Sequence, residues 1–106
     1  MRRWRLSMQQ RAEIDREARE IVDREVRRLR SLTYDQLTRY LKPAAFEVQA
    51  PSGRTFQVEI YAHWDDKEGG DLRVLVAVDD SFGSSIFDYK RDGFIIAPDG
   101  SFIGES

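Results

Sequence analysis

The first third of the chain carries apolar residues at helical spacing. Between Met8 and Arg30 they recur every three or four positions, within a stripe of roughly 140° at about 100° per residue. The stripe consists of Ile14, Ala18, Ile21, Val22, Val26 and Leu29. The pattern predicts one amphipathic helix over residues 8–30 with a single buried face. Acidic residues precede basic ones by four positions on the other face, an arrangement that stabilises a helix.

A second helix start follows directly. Thr33 and Gln36 have the spacing of a capping box, in which each side chain bonds the backbone of the other residue. We expect the helix to cover residues 34–41 and to end before Pro43, because the residue ahead of a proline disfavours helical backbone. The side chains expected to be buried are Leu37, Tyr40 and Leu41.

After Pro43 the pattern changes to the alternation typical of strands. Residues 46–50 and 56–62 alternate apolar and polar positions on either side of a Pro-Ser-Gly turn, which predicts a β-hairpin with one buried face. Residues 72–78 are apolar at every position except Arg73, as in a strand that is central or covered on both sides. This segment is the predicted middle strand.

The last part of the chain predicts the remaining strands. Residues 85–89 could form a short strand or an irregular edge, while residues 94–96 and 101–103 flank a Pro-Asp-Gly turn as a final hairpin. No connection after Pro43 is long enough for a helical crossover, so the sheet should be antiparallel. The predicted fold is α+β, with two N-terminal helices packed on one face of a four- to five-stranded antiparallel sheet.

The length of 106 residues, 41% of them apolar, suits a single domain with one core. We expect residues 1–6 to form a flexible tail, residues 7–42 the helical part and residues 43–106 the sheet. The predicted long helix measures roughly 34 Å, whereas strands of seven to nine residues span about 23–30 Å. Its first turns should therefore overhang the sheet. Apolar groups there, such as Met8, call for either a partner or a fold-back of the chain, and a homodimer through this helix would supply a partner.

Charge divides the chain at the same place as the pattern. Residues 1–42 contain 12 Lys+Arg and 7 Asp+Glu, whereas residues 43–106 contain 5 and 12, so the sheet part is acidic. The N-terminal arginines and Trp4 could contact nucleic acid through phosphates and base stacking. A pI of about 5.4 and the acidic residues interleaved along the helix argue against that partner.

Composition disfavours several other classes. No apolar run approaches about 18 residues, and the first residues are followed by polar sequence where a signal peptide needs an apolar stretch. We therefore expect a cytoplasmic protein without a membrane partner. The chain has no cysteine and no glycine-rich phosphate motif. The sequence consequently assigns no cofactor, no catalytic residue and no metal ligand.

The most chemically capable group is His63-Trp64-Asp65-Asp66 at the end of a predicted strand. His63 could act as a base or metal ligand oriented by an aspartate. Strand alternation instead places His63 on the solvent face, Trp64 at the edge of the core and the aspartates in a turn. A small metal-dependent hydrolase centred on His63, Asp65, Asp66 and Asp79 is the alternative function. It requires these groups to converge.

Three segments of the acidic part carry a family resemblance. The strand entry at residues 53–60, the strand exit Val78-Asp79-Asp80 and the turn at residues 97–102 resemble small prokaryotic α+β domains. Some domains of that appearance are immunity proteins of contact-dependent or polymorphic toxin systems. The resemblance implies a binding module and transfers no residue roles.

The expected function is a non-enzymatic binding module of the immunity or adaptor kind. It would contact a basic protein partner through an acidic loop surface, by electrostatic complementarity. The expected contact residues are Trp64, Asp65, Asp66, Glu68, Asp79 and Asp80. A third hypothesis is an assembly protein whose arginine-rich helix pairs with itself or with another chain.

Overall fold

The computed structural model describes residues 7–80 and 90–105, with only the backbone described at Asp80. The elements are α1 (Met8–Arg30), α2 (Tyr34–Leu37), a 3-10 segment (Thr38–Leu41), β1 (Ala44–Gln49), β2 (Thr55–Trp64), β3 (Leu72–Asp80) and β4 (Lys90–Ile96). The strands form one antiparallel sheet in the order β1-β2-β3-β4. The predicted α+β class is confirmed, as one long helix, one short helix and a four-stranded sheet in the described residues.

The bounds of α1 agree with the prediction from its apolar spacing, and all six residues of the predicted stripe are buried. A capping box that the sequence reasoning missed begins the helix. Ser7 Oγ accepts a hydrogen bond from the Gln10 amide at 3.0 Å, and Gln10 Oε1 accepts one from the Ser7 amide at 2.9 Å. Residues 7–12 are exposed and Ile14 is the first buried residue, so the start of α1 extends beyond the packed region.

The second helix starts as predicted and then changes type. Thr33 and Gln36 form the reciprocal capping box, with hydrogen bonds of 3.1 and 2.9 Å. After Leu37 the chain continues as a 3-10 segment that buries Tyr40 but leaves Leu41 40% exposed. The predicted burial of Leu41 is therefore wrong. A 3-10 turn contains three residues, so the position that follows Leu37 on the buried face is Tyr40 and not the residue after it.

The strands follow the predicted order. The hairpin of β1 and β2 pairs Phe46 with Val58, and β3 lies between β2 and β4, as expected for the middle strand. The predicted strand at residues 101–103 is reduced to a single bridge between Ile96 and Phe102. The predicted strand or edge at residues 85–89 lies outside the described residues.

The core lies between the helical part and one face of the sheet. α1 packs on β3 and β4, and the 3-10 segment packs on β2. Among the described residues, the largest fully buried side chains are Phe56, Leu29, Leu37, Ile60, Leu72, Ile96, Val22, Val58, Val74, Val76 and Val78. Glu17 near the start of α1 contacts Arg54 in the β1–β2 turn, whereas Tyr34 after its end donates to the Gly70 carbonyl in the β2–β3 loop. α1 therefore runs along the strands from one end of the sheet to the other.

Neither described helix has both the length and the apolar character needed to cross a membrane.

Candidate functional site

Of the six predicted contact residues, Asp65, Asp66 and Glu68 lie in the loop that joins β2 to β3, and Trp64 directly precedes this loop. Trp64 ends β2 and is half-buried against the core. Asp65 is already engaged, because its Oδ1 accepts hydrogen bonds from Arg73 at 2.7 and 3.0 Å and its amide donates to the Asp71 carbonyl at 2.8 Å. The side chains of Asp66 and Glu68 are exposed. This loop presents two exposed carboxylates to solvent.

The other two predicted contact residues lie at the far end of the same strand pair. Asp79 is opposite Gln57, whereas Trp64 is opposite Leu72. Seven strand positions separate Gln57 from Trp64, which is about 23 Å at 3.3 Å per residue. Asp80 follows at the same far end, and its side chain is outside the described part of the structure. The six residues thus form two separate groups, and their role in binding stays a prediction.

The alternative hydrolytic group does not come together either. His63 is exposed and lies opposite Arg73, with its Nδ1 3.3 Å from the Trp64 carbonyl oxygen. Asp79 is six strand positions from Arg73, about 20 Å along the sheet. General acid–base work needs direct or one-water reach between its groups. Among the described residues there is also no cluster of three His, Asp or Glu side chains placed to hold a metal ion.

The fold instead assembles a surface from all four strands, on the sheet face turned away from α1. Strand alternation assigns to this open face Ala45, Glu47, Gln49, Thr55, Gln57, Glu59, Tyr61, His63, Arg73, Leu75, Ala77, Asp79, Arg91, Gly93 and Ile95. None of these side chains is buried. The described elements therefore cover one face of the sheet and leave the open face to solvent.

The centre of the open face is apolar. Tyr61 on β2 lies opposite Leu75 on β3, which lies opposite Gly93 on β4. A β-carbon at Gly93 would lie 2.1 Å from the Val74 carbonyl oxygen and 3.1 Å from Leu75 Cδ2, so only glycine fits beside this leucine.

The apolar centre continues along β4. Ile95 follows two residues after the glycine on the same face. Ile103 joins it from the C-terminal segment, where its amide donates to the Ile95 carbonyl at 2.9 Å. The Ile103 side chain is 40% exposed. Aliphatic groups thus extend from the middle of the open face to its β4 side.

Carboxylates occupy the side of the open face nearer β1. Gln57 lies between Glu47 on β1 and Asp79 on β3, and its Nε2 donates to Glu47 Oε2 at 2.8 Å. Glu59 follows two residues later on the same face of β2. A shallow groove of about 380 Å³ runs among these groups. Arg91 borders it, and also borders a second groove of about 400 Å³ on the β4 side.

A separate ionic cluster fastens the end of the chain to α1. The Arg30 guanidinium donates to both carboxylate oxygens of Glu105 at 2.7 and 2.6 Å and lies 4.0 Å from the centre of the Phe102 ring. These hydrogen bonds lower the pKa of Glu105 below its ordinary value and raise that of Arg30. The charges of the cluster therefore satisfy each other and hold the C-terminal segment against the helix.

A surface signal in β3 was available in the sequence. Leu75 and Ala77 alternate with the buried valines of that strand, and their apolar character predicts a strand that is central or covered on both sides. The structure shows the central position together with an outer face that no described element covers.

Comparisons with known proteins add no precedent for this surface: no family model, no curated protein and no solved structure matches the chain.

Proposed function

We propose that this protein is a binding module that recognises a basic protein partner through the open face of its sheet. The observation that carries the proposal is a partly exposed apolar patch, Tyr61, Leu75 and Ile95, beside the carboxylates of Glu47 and Glu59. Protein interfaces combine a central group of apolar or aromatic contacts with a polar surround. The open face has both parts on one rigid sheet.

The apolar half explains why a partner is needed. An antiparallel sheet with one solvated face normally shows polar residues on that face. Leu75 departs from this rule on the inner strand β3, and Ile95 extends the apolar surface onto the edge strand β4. Contiguous apolar surface rimmed by polar residues is typical of interaction sites.

The charged half favours a cationic partner. Glu47, Glu59 and Asp79 come from three adjacent strands, and the part of the chain from residue 43 onwards contains 12 Asp+Glu against 5 Lys+Arg. Complementary charge speeds diffusional encounter and sets the orientation of docking. A partner would place lysines or arginines over β1 and β2 and apolar groups over β3 and β4.

An acidic module of this kind fits the immunity or adaptor role that the family resemblance implies. The proposed contact surface differs from the set of six residues that the sequence predicts, and Asp79 is the member of that set that lies on the open face. The β2–β3 loop remains the competing surface, because Asp66 and Glu68 are exposed there.

Matched charge reversals separate the two surfaces. Glu47→Lys with Glu59→Lys alters the open face, and Asp66→Lys with Glu68→Lys alters the loop by the same net charge. Each immobilised variant is incubated with a native lysate, and the retained proteins are quantified by mass spectrometry. We expect the open-face variant to lose basic proteins that the wild type and the loop variant retain.

Two controls make this result interpretable. Circular dichroism must show the same fold for both variants, since all four positions are exposed. Retention should also fall as salt is raised, because the Debye length shrinks from about 10 Å at 0.1 M to about 3 Å at 1 M. Loss in the loop variant alone would move the contact surface to residues 65–68. Equal retention by all three proteins would refute the proposal.

A further inference from the structure

The two edges of the sheet differ in how their backbone is satisfied. At β4 the outward carbonyl of Ile95 accepts the Ile103 amide at 2.9 Å, and the Gly93 amide donates to its neighbour Asp92 Oδ1 at 2.8 Å. Residues 90–92 add three charges to the same edge. Pairing, capping and charge are the usual means by which an edge strand avoids further strand addition.

Among the described residues, the β1 edge has neither a pairing segment nor a cluster of charges. Its sequence, Ala-Ala-Phe-Glu-Val-Gln, contains one charged residue and no proline, and its register with β2 is continuous, without a bulge. The Ala50 amide donates to the Arg54 carbonyl at 2.8 Å, so by the alternation of antiparallel ladders the even-numbered residues of β1 bond to β2. The amides and carbonyls of Ala45, Glu47 and Gln49 point outward. No described strand pairs with them.

Two large apolar side chains stand near this edge. Phe46 lies opposite Val58, on the side of the sheet that carries the core, yet it is 36% exposed. Leu41 precedes β1 by three residues and is 40% exposed. α1 packs mainly on β3 and β4, and the described elements leave part of the Phe46 side chain uncovered. An open backbone edge and an uncovered aromatic ring therefore occur on the same strand.

We propose that β1 pairs antiparallel with β1 of a second copy of this chain, with Phe46 opposite Phe46 across a two-fold axis. The two sheets then form one sheet of eight strands. In this register Ala45 lies opposite Glu47 of the other copy, and their outward amides and carbonyls exchange hydrogen bonds. The two phenylalanine rings meet on the α1 side of the sheet, where each removes the other from water.

The charges of β1 select this register. A shift that centres the axis on Glu47 would place two carboxylates directly opposite each other, which is destabilising. A shift that centres it on Ala45 would pair only residues 44–46 of the two strands and would place Pro43, which has no amide proton, opposite Glu47. The Phe46-centred register keeps the two carboxylates apart and pairs residues 44–48 of both strands, with Pro43 beyond them opposite Gln49. A closed two-fold contact uses the same surface on each copy. The proposal does not depend on the function proposed for the open face.

Single cysteines test the register directly, because the natural chain contains none. Directly opposed residues that do not exchange ladder bonds have Cα atoms about 4.5 Å apart, within the range of a disulfide. Phe46→Cys should therefore yield a covalent dimer on a non-reducing gel after mild oxidation at low protein concentration. Ser52→Cys, exposed in the β1–β2 turn, should remain a monomer on the same gel.

A mixing experiment tests the neighbouring pair. Ala44 and Val48 of opposite copies face each other in the proposed register, so Ala44→Cys and Val48→Cys should each fail to cross-link alone and should cross-link when mixed. Cross-linking of either variant alone at the rate of the mixture would contradict the register. Cross-linking of Phe46→Cys no faster than that of Ser52→Cys would overturn the proposal.

Light scattering tests the assembly without cross-links. The wild type at tens of micromolar should show twice the mass of one chain. Phe46→Lys places two ammonium groups opposite each other and removes the ring pair, so it should raise the dimer dissociation constant about tenfold or more. Met8→Lys, at the exposed start of α1, should leave the dimer unchanged. A monomeric wild type refutes the proposal, and a dimer lost in Met8→Lys but kept in Phe46→Lys assigns assembly to the helix instead.

Discussion

A carboxylate on the buried side of α1 offers the clearest energetic test of the fold. Glu17 stands next to Ala18 in the apolar stripe, and its side chain is 9% exposed. Arg54, 22% exposed, donates from Nη1 to Glu17 Oε1 at 2.7 Å and so joins the helix to the β1–β2 turn. Arg54→Met keeps most of the aliphatic stem and removes this donor. The carboxylate would then remain near the core without its partner.

The magnitude follows from the burial of each partner. Removing one partner of a fully buried ion pair costs about 3–5 kcal/mol, and a hydrogen bond to a charged group contributes about 1.5–3 kcal/mol. Because the arginine side keeps some access to water, we expect Arg54→Met to lower the free energy of unfolding by about 2 kcal/mol. Glu17→Met should cost about 1 kcal/mol, since the arginine can turn to solvent. The double variant should lie within about 1 kcal/mol of the wild type, because an apolar pair replaces an ionic one.

Urea unfolding followed by circular dichroism measures all four proteins of this cycle, and linear extrapolation gives their free energies. The single losses add up to about 3 kcal/mol and the double variant should lie within about 1 kcal/mol of the wild type, so the coupling between the two sites should be at least about 2 kcal/mol. Lys90→Met is the matched control, because Lys90 and Asp15 approach only to 3.9 Å and Asp15 is 53% exposed. That variant should change stability by less than about 0.5 kcal/mol. Simple additivity of the two single variants would show that water, and not Arg54, satisfies the Glu17 carboxylate.

Four further changes have definite expected results. Leu29→Ala, at a fully buried position, should lower the free energy of unfolding by about 3 kcal/mol in urea, and a loss below about 1 kcal/mol would contradict the packing of α1 on the sheet. Gly93→Ala places a β-carbon 2.1 Å from the Val74 carbonyl oxygen, so strand displacement should cost about 2 kcal/mol or more by the same measurement. Thr33→Ala removes the capping hydrogen bond and should lower the free energy of unfolding by about 1 kcal/mol. Ser31 is an exposed neighbour of Thr33, and Ser31→Ala measures how much a hydroxyl near the helix junction contributes. The pKa of Glu105 lies below its ordinary value of 4.5 because Arg30 donates hydrogen bonds to the carboxylate. The wild type should therefore be more stable than Glu105→Gln at neutral pH, and this difference should disappear as the pH falls through the lowered pKa. A stability difference that persists at about pH 2 would refute this cause.

Local signals account for the elements that the sequence predicted well. Each of these signals consists of residues only a few positions apart: the apolar residues of α1 recur every three or four positions, and Thr33 and Gln36 of the capping box are three apart. The structure that they form therefore does not depend on distant partners. Leu41 shows the limit of such reasoning. Its burial depended on whether the second helix stayed α-helical, and the short segment tightens to 3-10 geometry before it reaches β1.

The candidate site depended on register, which the sequence alone did not provide. Asp65 precedes β3 and Asp79 lies near its end, so the length of that strand separates them, as an antiparallel pair requires. Once the register is known, the pairing of Arg73 with Asp65 and the position of Glu47 beside Gln57 both follow. The charge division at residue 43 identified the acidic part of the molecule but not the face on which its carboxylates meet.

The exposure of β1 has a geometric cause. A helix with its side chains is about 10–12 Å wide and neighbouring strands are about 4.8 Å apart, so one helix covers about two strands. α1 packs mainly on β3 and β4 and the 3-10 segment on β2, and these described elements leave the Phe46 side chain of β1 partly in solvent. Phe56, one strand further in, is fully buried, whereas Phe46 on the same face is 36% exposed. The missing neighbour of Phe46 therefore lies beyond the edge of the sheet, and a strand that bonds the outward amides of β1 would bring side chains to that position.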